Sequence, residues 1–250
     1  STVMIQTRIG SSRLPNKVLE LIENQAMISH VINRVKKIKN IDQIILITTT
    51  QSEDKQLLNI AKEHDIQYFQ GSVDDVLDRH FQCAVIFNAD PIIRITSDCP
   101  LIDPEVSSKI LEYYLQNNYD YVSNTITTTY PDGLDTEIFS FKALSKAHIE
   151  SNLPSEREHV TTYFTKNPKK FRIKNFPNTV DLSKFRWTVD RTQDLDFVRR
   201  IYNYMAPKTI FSMNDVLDII NKYHELSKIN DQIMRNEGHL KSLKKDKDAS

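Results

Sequence analysis

Residues 92–116 read IIRITSDCPLIDPEVSSKILEYYLQ, and this segment sets the architecture that we predict for the chain. Its first five residues include three isoleucines and a threonine, a composition typical of a strand buried on both faces. Asp103 and Pro104 mark a helix start, because an aspartate caps free backbone N–H groups and proline fits the first helical position. The segment therefore predicts a strand, a polar loop and a helix, in that order.

The same alternation of strand and helix recurs along the rest of the chain. In the first half it predicts strands at 3–6, 44–47 and 66–69 and helices at 27–35, 55–62 and 74–87. In the second half it predicts strands at 119–123, 137–141, 171–175 and 186–189 and helices at 142–150, 156–166, 195–204 and 214–226. We therefore predict an α/β fold with a mixed, mainly parallel sheet covered by helices on both faces.

Length and composition limit the classes of function. The 250 residues carry 33 Lys and Arg against 33 Asp and Glu, which predicts a compact chain with no general attraction to nucleic acid. No apolar run approaches the ~18 residues that cross a bilayer, and the N-terminus lacks a signal-peptide pattern, so we expect a cytoplasmic protein without a membrane partner. Two cysteines are too few for a disulfide framework. Four glycines leave no G-x-G-x-x-G or P-loop motif, which argues against a dehydrogenase or a P-loop kinase.

The C-terminal end of the chain differs in composition from the rest. We assign residues 1–227 to one domain and residues 228–250 to a charged helix or tail, because apolar residues become scarce there. Lysines accumulate in this tail, at Lys241, Lys244, Lys245 and Lys247. A solvated tail or an exposed last helix is the favoured interpretation, and a binding segment is the alternative.

The loop after the first predicted strand is rich in cations. Residues 6–17 read QTRIGSSRLPNK and place Arg8, Arg13 and Lys17 around Gly10. Ligands of open α/β sheets bind at the carboxyl ends of the strands, where this loop begins. The three cations and the backbone N–H groups near Gly10 therefore form a candidate polyphosphate site. An exposed basic loop without a ligand is the alternative.

Two aspartates follow predicted strands in the same way. Asp98 comes after the strand at 92–96, and Asp190 comes after the strand at 186–189. Each carboxylate is a candidate ligand for a Mg²⁺ ion that is held jointly with substrate phosphates. Helix capping or turn formation is the alternative role.

Six segments resemble one known family, and they occur in the same order along the chain. They are residues 5–19, 71–79, 96–103, 130–135, 156–161 and 186–190. In these segments the chain is similar to the spore-coat polysaccharide cytidylyltransferase family, which is related to the synthetases of CMP-acylneuraminate and CMP-3-deoxy-manno-octulosonate. One departure is Asn16, where the family commonly has glycine, but asparagine also tolerates a left-handed backbone.

The resemblance implies a Rossmann-like fold of the glycosyltransferase-A type. It also implies transfer of CMP from CTP to an acidic sugar or phosphorylated acceptor, with Mg²⁺ as cofactor, release of pyrophosphate and a role in surface polysaccharide synthesis. A homodimer is a further expectation from the resemblance.

The resemblance assigns roles to individual residues. It implies catalytic contacts with the triphosphate, by Arg8, Arg13 and Lys17, and metal binding by Asp98 and Asp190. The implied nucleotide contacts are Thr7, Gly10, Ser11, Ser12, Asp75, Asp78 and Arg79. The implied acceptor contacts are Asp135, Glu137, Arg157 and His159.

Other functions fit parts of the pattern. A non-catalytic nucleotide-sugar-binding protein would keep the fold without turnover. A glycosyltransferase of this fold would carry a D-x-D metal motif, which residues 98–100 do not supply. Preference for another nucleoside triphosphate stays open, because a few hydrogen bonds decide the choice of base. A helix-surface or packing position is the alternative for His159, and ion pairing is the alternative for Arg157 and Arg186.

Overall fold

A computed structural model describes residues 1–11, 13–235, 237–238, 242–243 and 246. The strands are β1 (Thr2–Gln6), β2 (Leu21–Ile22), β3 (Gln25–Ala26), β4 (Gln43–Thr49), β5 (Gln67–Gly71), β6 (Ile92–Thr96), β7 (Tyr121–Ser123), β8 (Glu137–Phe139) and β9 (Ile173–Asn175). The helices are α1 (Met27–Val35), α2 (Lys55–Glu63), α3 (Val76–Phe87), α4 (Pro104–Gln116), α5 (Phe141–Glu150), α6 (Pro154–Glu158), α7 (Thr162–Lys166), α8 (Thr192–Met205) and α9 (Met213–Lys222). Short 3-10 helices occupy Lys17–Leu19, Ser52–Asp54 and His224–Lys228. None of the described helices combines the length and the apolar character needed to cross a bilayer.

Seven strands form one sheet, in the order β5-β4-β1-β6-β8-β7-β9. The first four are parallel, with Ile5 of β1 between Leu46 of β4 and Ile95 of β6. Strand β8 is antiparallel to both of its neighbours, and β9 is parallel to β7. Of the described strands in this sheet only β8 is reversed, which confirms the prediction of a mixed, mainly parallel sheet. Strands β2 and β3 form a separate small hairpin.

Helices cover both faces of the sheet, and each face has its own apolar core. On β1, Val3 and Ile5 are buried in one core and Met4 in the other, as the alternation of side chains along a strand requires. The first core includes Ile110 of α4, and the second includes Leu77 of α3. This two-sided burial leaves the ends of the parallel strands as the part of the sheet that is open to a ligand.

The predicted strand at 186–189 is not formed. Arg186 makes one isolated β-bridge, to Asp132. The Trp187 N–H donates to the Asp132 carbonyl at 2.6 Å, and the Val189 N–H donates to the Asp98 carbonyl at 2.8 Å. The segment therefore binds to two separate loops instead of one neighbouring strand. This prediction was wrong, because tertiary hydrogen bonds outweigh a local strand preference.

The predicted helix at 156–166 is interrupted between α6 and α7. Val160 lies between the two helices with a φ of 44°, a left-handed value that is costly for a β-branched residue. The next residue, Thr161, donates its hydroxyl to the Glu137 carboxylate of β8 at 2.6 Å. This bond ties the interrupting turn to the sheet, which a helical periodicity in the sequence does not reveal.

Candidate active site

A cavity of about 690 Å³ lies at the carboxyl ends of β1 and β6. The two strands are parallel neighbours, with Gln6 opposite Thr96, so the loops that follow them leave the sheet side by side. The Ser97 N–H donates to the Gln6 carbonyl at 3.0 Å and keeps the loops together where they begin. The cation-rich loop of residues 7–17, called the first loop below, therefore meets Asp98 in this cavity.

Lys17 joins the two aspartates that the sequence singles out as metal ligands. Its ammonium Nζ donates to Asp190 Oδ1 at 2.8 Å and to Asp98 Oδ2 at 3.2 Å. A third bond, of 2.8 Å, reaches the Val189 carbonyl. Just before it, Asn16 has a φ of 58°, the left-handed conformation that asparagine tolerates. The structure thus brings Lys17, Asp98 and Asp190 together.

Burial, opposite charges and hydrogen bonds together set the pKa values of Lys17 and Asp190. Burial alone would lower the pKa of Lys17, but the Asp98 and Asp190 carboxylates outweigh burial and raise that pKa. Burial alone would raise the pKa of Asp190, but Lys17 and Arg13 outweigh burial and lower that pKa. Arg13 acts through a contact of 2.8 Å between its Nη2 and Asp190 Oδ1. At neutral pH the Lys17 ammonium therefore faces a charged Asp190 carboxylate.

Other residues of the first loop line the same cavity. They are Thr7, Arg8 and Ser11. Among the described residues Arg8 has no ion-pair partner, so its guanidinium is available to an anionic ligand. Gly10 lies in the loop without lining the cavity, and Ser12 lies outside the described residues. The contacts expected from these two residues stay predictions.

A buried aspartate that the sequence analysis missed holds the first loop in place. Asp54 is fully buried and accepts hydrogen bonds from the Ile9 N–H at 2.8 Å and the Thr49 N–H at 3.2 Å. The Thr49 hydroxyl donates to the same carboxylate. Asp54 therefore links the first loop to the end of β4, next to Arg8. In the sequence it precedes a helix and looks like an ordinary cap, so no signal there pointed to this role.

Arg186 forms ion pairs with Asp190 and with two further aspartates. Its guanidinium lies 2.9 Å from Asp194, 3.1 Å from Asp132 and 3.4 Å from Asp190. Asp194 in turn accepts the backbone N–H groups of Asp190 and Arg191, both at 3.0 Å. The ion-pairing alternative for Arg186 is thus the one that the structure shows, and this network fixes the backbone that carries Asp190.

Asp132 and Asp135 form an acidic part of the cavity wall. Arg235 lies 3.0 Å from Asp135 and 3.6 Å from Asp132. Burial raises the pKa of both carboxyls, which Arg235 opposes. Asp135 was predicted from the sequence as an acceptor contact, which stays a prediction, whereas Asp132 was not singled out, although both lie in the segment 130–135 that carries part of the family resemblance.

The residues predicted to contact the nucleotide through α3 divide into two groups. Arg79 lines the cavity and donates to the carbonyls of Ser72 at 2.8 Å and Val73 at 3.1 Å. Asp75 caps α3 and accepts a bond of 2.8 Å from Arg157, and Asp78 lies 2.9 Å from His148. These two aspartates are not part of the described cavity wall, and their nucleotide contacts stay predictions.

Of the other predicted acceptor contacts, Arg157 and His159 line the cavity and Glu137 does not. The Glu137 carboxylate accepts hydrogen bonds from Tyr121 at 2.7 Å and Thr161 at 2.6 Å, and it pairs with Arg94. Tyr121 lies on β7, Arg94 lies on β6, and Thr161 lies in the turn after α6. The position of Glu137 therefore indicates a structural role and gives no support to the predicted acceptor contact.

The segment after residue 227 packs against this site. Asn230 donates to Asp194 at 2.9 Å, and Glu237 pairs with Arg191 at 2.9 Å. The Ser242 hydroxyl lies 2.8 Å from His159 Nε2. At these described residues the chain is therefore packed against the site, and the assignment of a separate helix or tail from residue 228 stays a prediction. The four lysines that suggested it, residues 241, 244, 245 and 247, lie outside the described residues.

Comparison with known proteins agrees with the resemblance found in the sequence. A family model described as cytidylyltransferase matches residues 2–250. The uncharacterized protein MJ1063 of Methanocaldococcus jannaschii is 33% identical over 92% of this chain and 94% of its own length. The spore coat polysaccharide biosynthesis protein SpsF of Bacillus subtilis is 25% identical over 88% of this chain and 93% of its own length. The structure of a cytidylyltransferase from Leptospira borgpetersenii superposes with a TM-score of 0.87 and 31% identity, over 90% of this chain and 95% of that one. The chain therefore belongs to the cytidylyltransferase family.

Proposed function

We propose that the protein transfers CMP from CTP to an acidic sugar or a small phosphorylated acceptor and releases pyrophosphate. An acceptor oxygen bonds to the α-phosphorus while the bond from that phosphorus to the bridging oxygen of the β-phosphate breaks. The electron pair of the broken bond leaves with pyrophosphate, and a proton on the acceptor oxygen passes to solvent. This reaction depends on positioning and charge neutralisation and needs no protein nucleophile.

One observation carries the proposal. Residues of the first loop line the same cavity as Asp98 and Asp190. Arg13 and Lys17 both contact Asp190, and Lys17 also contacts Asp98. Arg8 lines the same cavity with no described ion-pair partner. A triphosphate carries several negative charges, so these three cations match its chemistry.

Asp98 and Asp190 fit a Mg²⁺ ion in this proposal. The two carboxylates already share a positive charge, the Lys17 ammonium, which stands in for a cation between them. Among the described residues no group of three or more His, Cys, Asp or Glu side chains could hold a metal. Mg²⁺ commonly takes one or two carboxylates and completes its ligands with phosphates and water, as two aspartates beside a triphosphate would allow. When bound, Mg²⁺ would neutralise charge on the phosphoryl oxygens and on pyrophosphate.

The acceptor is assigned to the part of the cavity near Arg157 and His159. Both residues line the wall, and a guanidinium and an imidazole are side chains suited to an acidic group. A role in surface polysaccharide synthesis is supported by the name of the Bacillus subtilis relative, which is a spore coat polysaccharide biosynthesis protein. We place the reaction in the cytoplasm, where CTP is available, and we propose a homodimer, which light scattering of the purified protein would test.

A pyrophosphate-release screen tests the reaction. The purified protein is incubated with CTP, Mg²⁺ and a panel of acidic sugars and phosphomonoesters, and the screen is repeated with ATP, GTP and UTP. We expect pyrophosphate release that needs both CTP and one class of acceptor. Binding of CTP without release would favour a non-catalytic binding protein, and transfer of a sugar from a nucleotide sugar would favour a glycosyltransferase.

Two variants test the aspartates separately. We expect Asp98→Asn and Asp190→Asn each to abolish pyrophosphate release at all Mg²⁺ concentrations, because each change removes a negative ligand. The matched control is Asp196→Asn, whose carboxylate is exposed and pairs only with Arg200 among the described residues. Full activity of either cavity variant across a Mg²⁺ titration would remove that residue from the proposed metal site.

A further inference from the structure

We propose that Lys17 closes the metal site of the nucleotide-free enzyme and moves from Asp98 and Asp190 to the triphosphate when CTP binds. The proposal rests on the function given above. It adds that Lys17 has two alternative positions, and that the metal site opens only when the nucleotide draws Lys17 away.

The Lys17 ammonium uses all of its hydrogen-bond donors. A lysine ammonium has three N–H donors. In this structure the three donors are used by Asp98, Asp190 and the Val189 carbonyl, at 2.8–3.2 Å. The side chain is only 11% exposed. Lys17 therefore has no donor left for a phosphate oxygen, and it must give up at least one of these partners to bind the triphosphate.

The positive charge of the Lys17 ammonium opposes metal binding at the same carboxylates. A divalent cation between Asp98 and Asp190 would lie beside the Lys17 ammonium, and like charges in a partly buried site repel strongly. The ammonium and the metal therefore compete for the same two carboxylates. As long as Lys17 keeps its present position, it lowers the affinity of the free enzyme for Mg²⁺.

Asp98 and Asp190 differ in the ion-pair partners that they would keep if Lys17 left. If Lys17 leaves, Asp190 still has Arg13 at 2.8 Å and Arg186 at 3.4 Å. Asp98 has no other ion-pair partner among the described residues. Its carboxylate would be left uncompensated in the cavity unless another cation arrived. Lys17 therefore leaves Asp98 and Asp190 favourably only when the triphosphate binds its ammonium and a metal ion takes its place. The binding of CTP and the binding of the metal are thus coupled.

Metal binding to the nucleotide-free protein tests the proposal without any turnover. Mn²⁺ serves as the probe, and the loss of the free Mn²⁺ signal in electron paramagnetic resonance gives its affinity. We expect Lys17→Met to bind Mn²⁺ at least tenfold more tightly than the parent. Lys17→Gln, which keeps a polar group, should show the same direction and gives a second measurement if Lys17→Met does not fold. The charge-matched control is Lys208→Met, because Lys208 pairs with Asp215 at the exposed surface, and this variant should match the parent.

A double variant shows where the added affinity arises. Lys17→Met combined with Asp190→Asn should lose the gain, because the proposed site needs both carboxylates. Equal Mn²⁺ affinity in the parent and both Lys17 variants would overturn the proposal, as would a gain that survives Asp190→Asn. Failure of CTP to release pyrophosphate would count against the proposed function instead, so the two failures are distinguishable.

Discussion

Arg13 and Lys17 approach the Asp190 carboxylate from the same loop, each at 2.8 Å, and Lys17 is the more deeply enclosed of the two. We expect Lys17→Met and Arg13→Ala to lower kcat/KM for CTP by about a hundredfold or more, because each removes a charged donor from the developing phosphate charge. Pyrophosphate release measures the effect, and the exposed Lys208→Met serves as the control. Unchanged activity in both variants would remove the first loop from the phosphate site.

Gly133 is a second single residue on which the cavity depends. Its φ is +113°, and a Cβ there would lie 2.6 Å from the Thr188 nitrogen and 2.7 Å from the Trp187 carbonyl carbon. Gly133→Ala should therefore destabilise the fold by about 2 kcal/mol or more, since backbone atoms cannot move aside cheaply. Urea denaturation measures the loss. Gly10→Ala is the matched control, because its Cβ would meet only the flexible end of Glu53 at 3.0 Å, and equal stability of the two variants would contradict the argument.

Single residues differ in how far their sequence context predicts their position. The place of Arg13 and Lys17 in the cavity was predictable because both follow a buried strand and lie close together in the chain. The place of Asp98 was predictable because it follows an apolar strand, at the end of the sheet where ligands bind. Arg235 was not, because its contact with Asp135 joins positions that are 100 residues apart and depends on the packing of the whole chain.

At the scale of elements, the first loop is positioned by its attachment to β4. Asp54→Asn should weaken this attachment, because an amide cannot accept all of the hydrogen bonds that the carboxylate now receives from Ile9 and Thr49. We expect a loss of about 1–3 kcal/mol in the free energy of unfolding. We also expect a higher KM for CTP, because Arg8 lies in this loop and would be displaced together with it.

Urea denaturation and CTP titration measure these two effects. Asp65→Asn makes the same chemical change at an exposed position with a φ of 49°, which asparagine tolerates, and should alter neither quantity. A normal KM in a destabilised Asp54→Asn protein would show that the loop holds its position without this bond.

Elements that are determined by neighbouring residues in the sequence were predicted well. Helix α4 has the predicted bounds, because Asp103 accepts the Glu105 N–H at 2.7 Å and thereby caps the helix as its sequence indicates. Strand β6 also has its predicted bounds. The elements that were missed depend on distant partners. Residues 186–189 bond to loops at Asp98 and Asp132, and the turn after α6 bonds to β8.

At the scale of the whole molecule, burial of titratable groups makes stability depend on pH. His80 of α3 is fully buried, and its Nε2 has no hydrogen-bond partner among the described residues. Burial, assisted by the charge of Arg94, lowers the pKa of His80 to about 3. In the unfolded chain a histidine has a pKa of about 6.5. Between these two pH values His80 is protonated in the unfolded chain and neutral in the folded chain.

Stability must therefore fall as the pH falls from about 6.5 towards 3, by about 1.4 kcal/mol per pH unit for this group. Lowering the pH from 7.5 to 5 should cost the parent about 2 kcal/mol through His80 alone. His80→Leu removes the titrating group, so its free energy of unfolding should drop by about 2 kcal/mol less over the same interval. Urea denaturation at the two pH values measures the difference within each protein, which cancels any change in packing caused by the substitution. The exposed His224→Leu should keep the parent's pH dependence, and a His80→Leu protein that loses as much stability as the parent would show that acid acts through other groups.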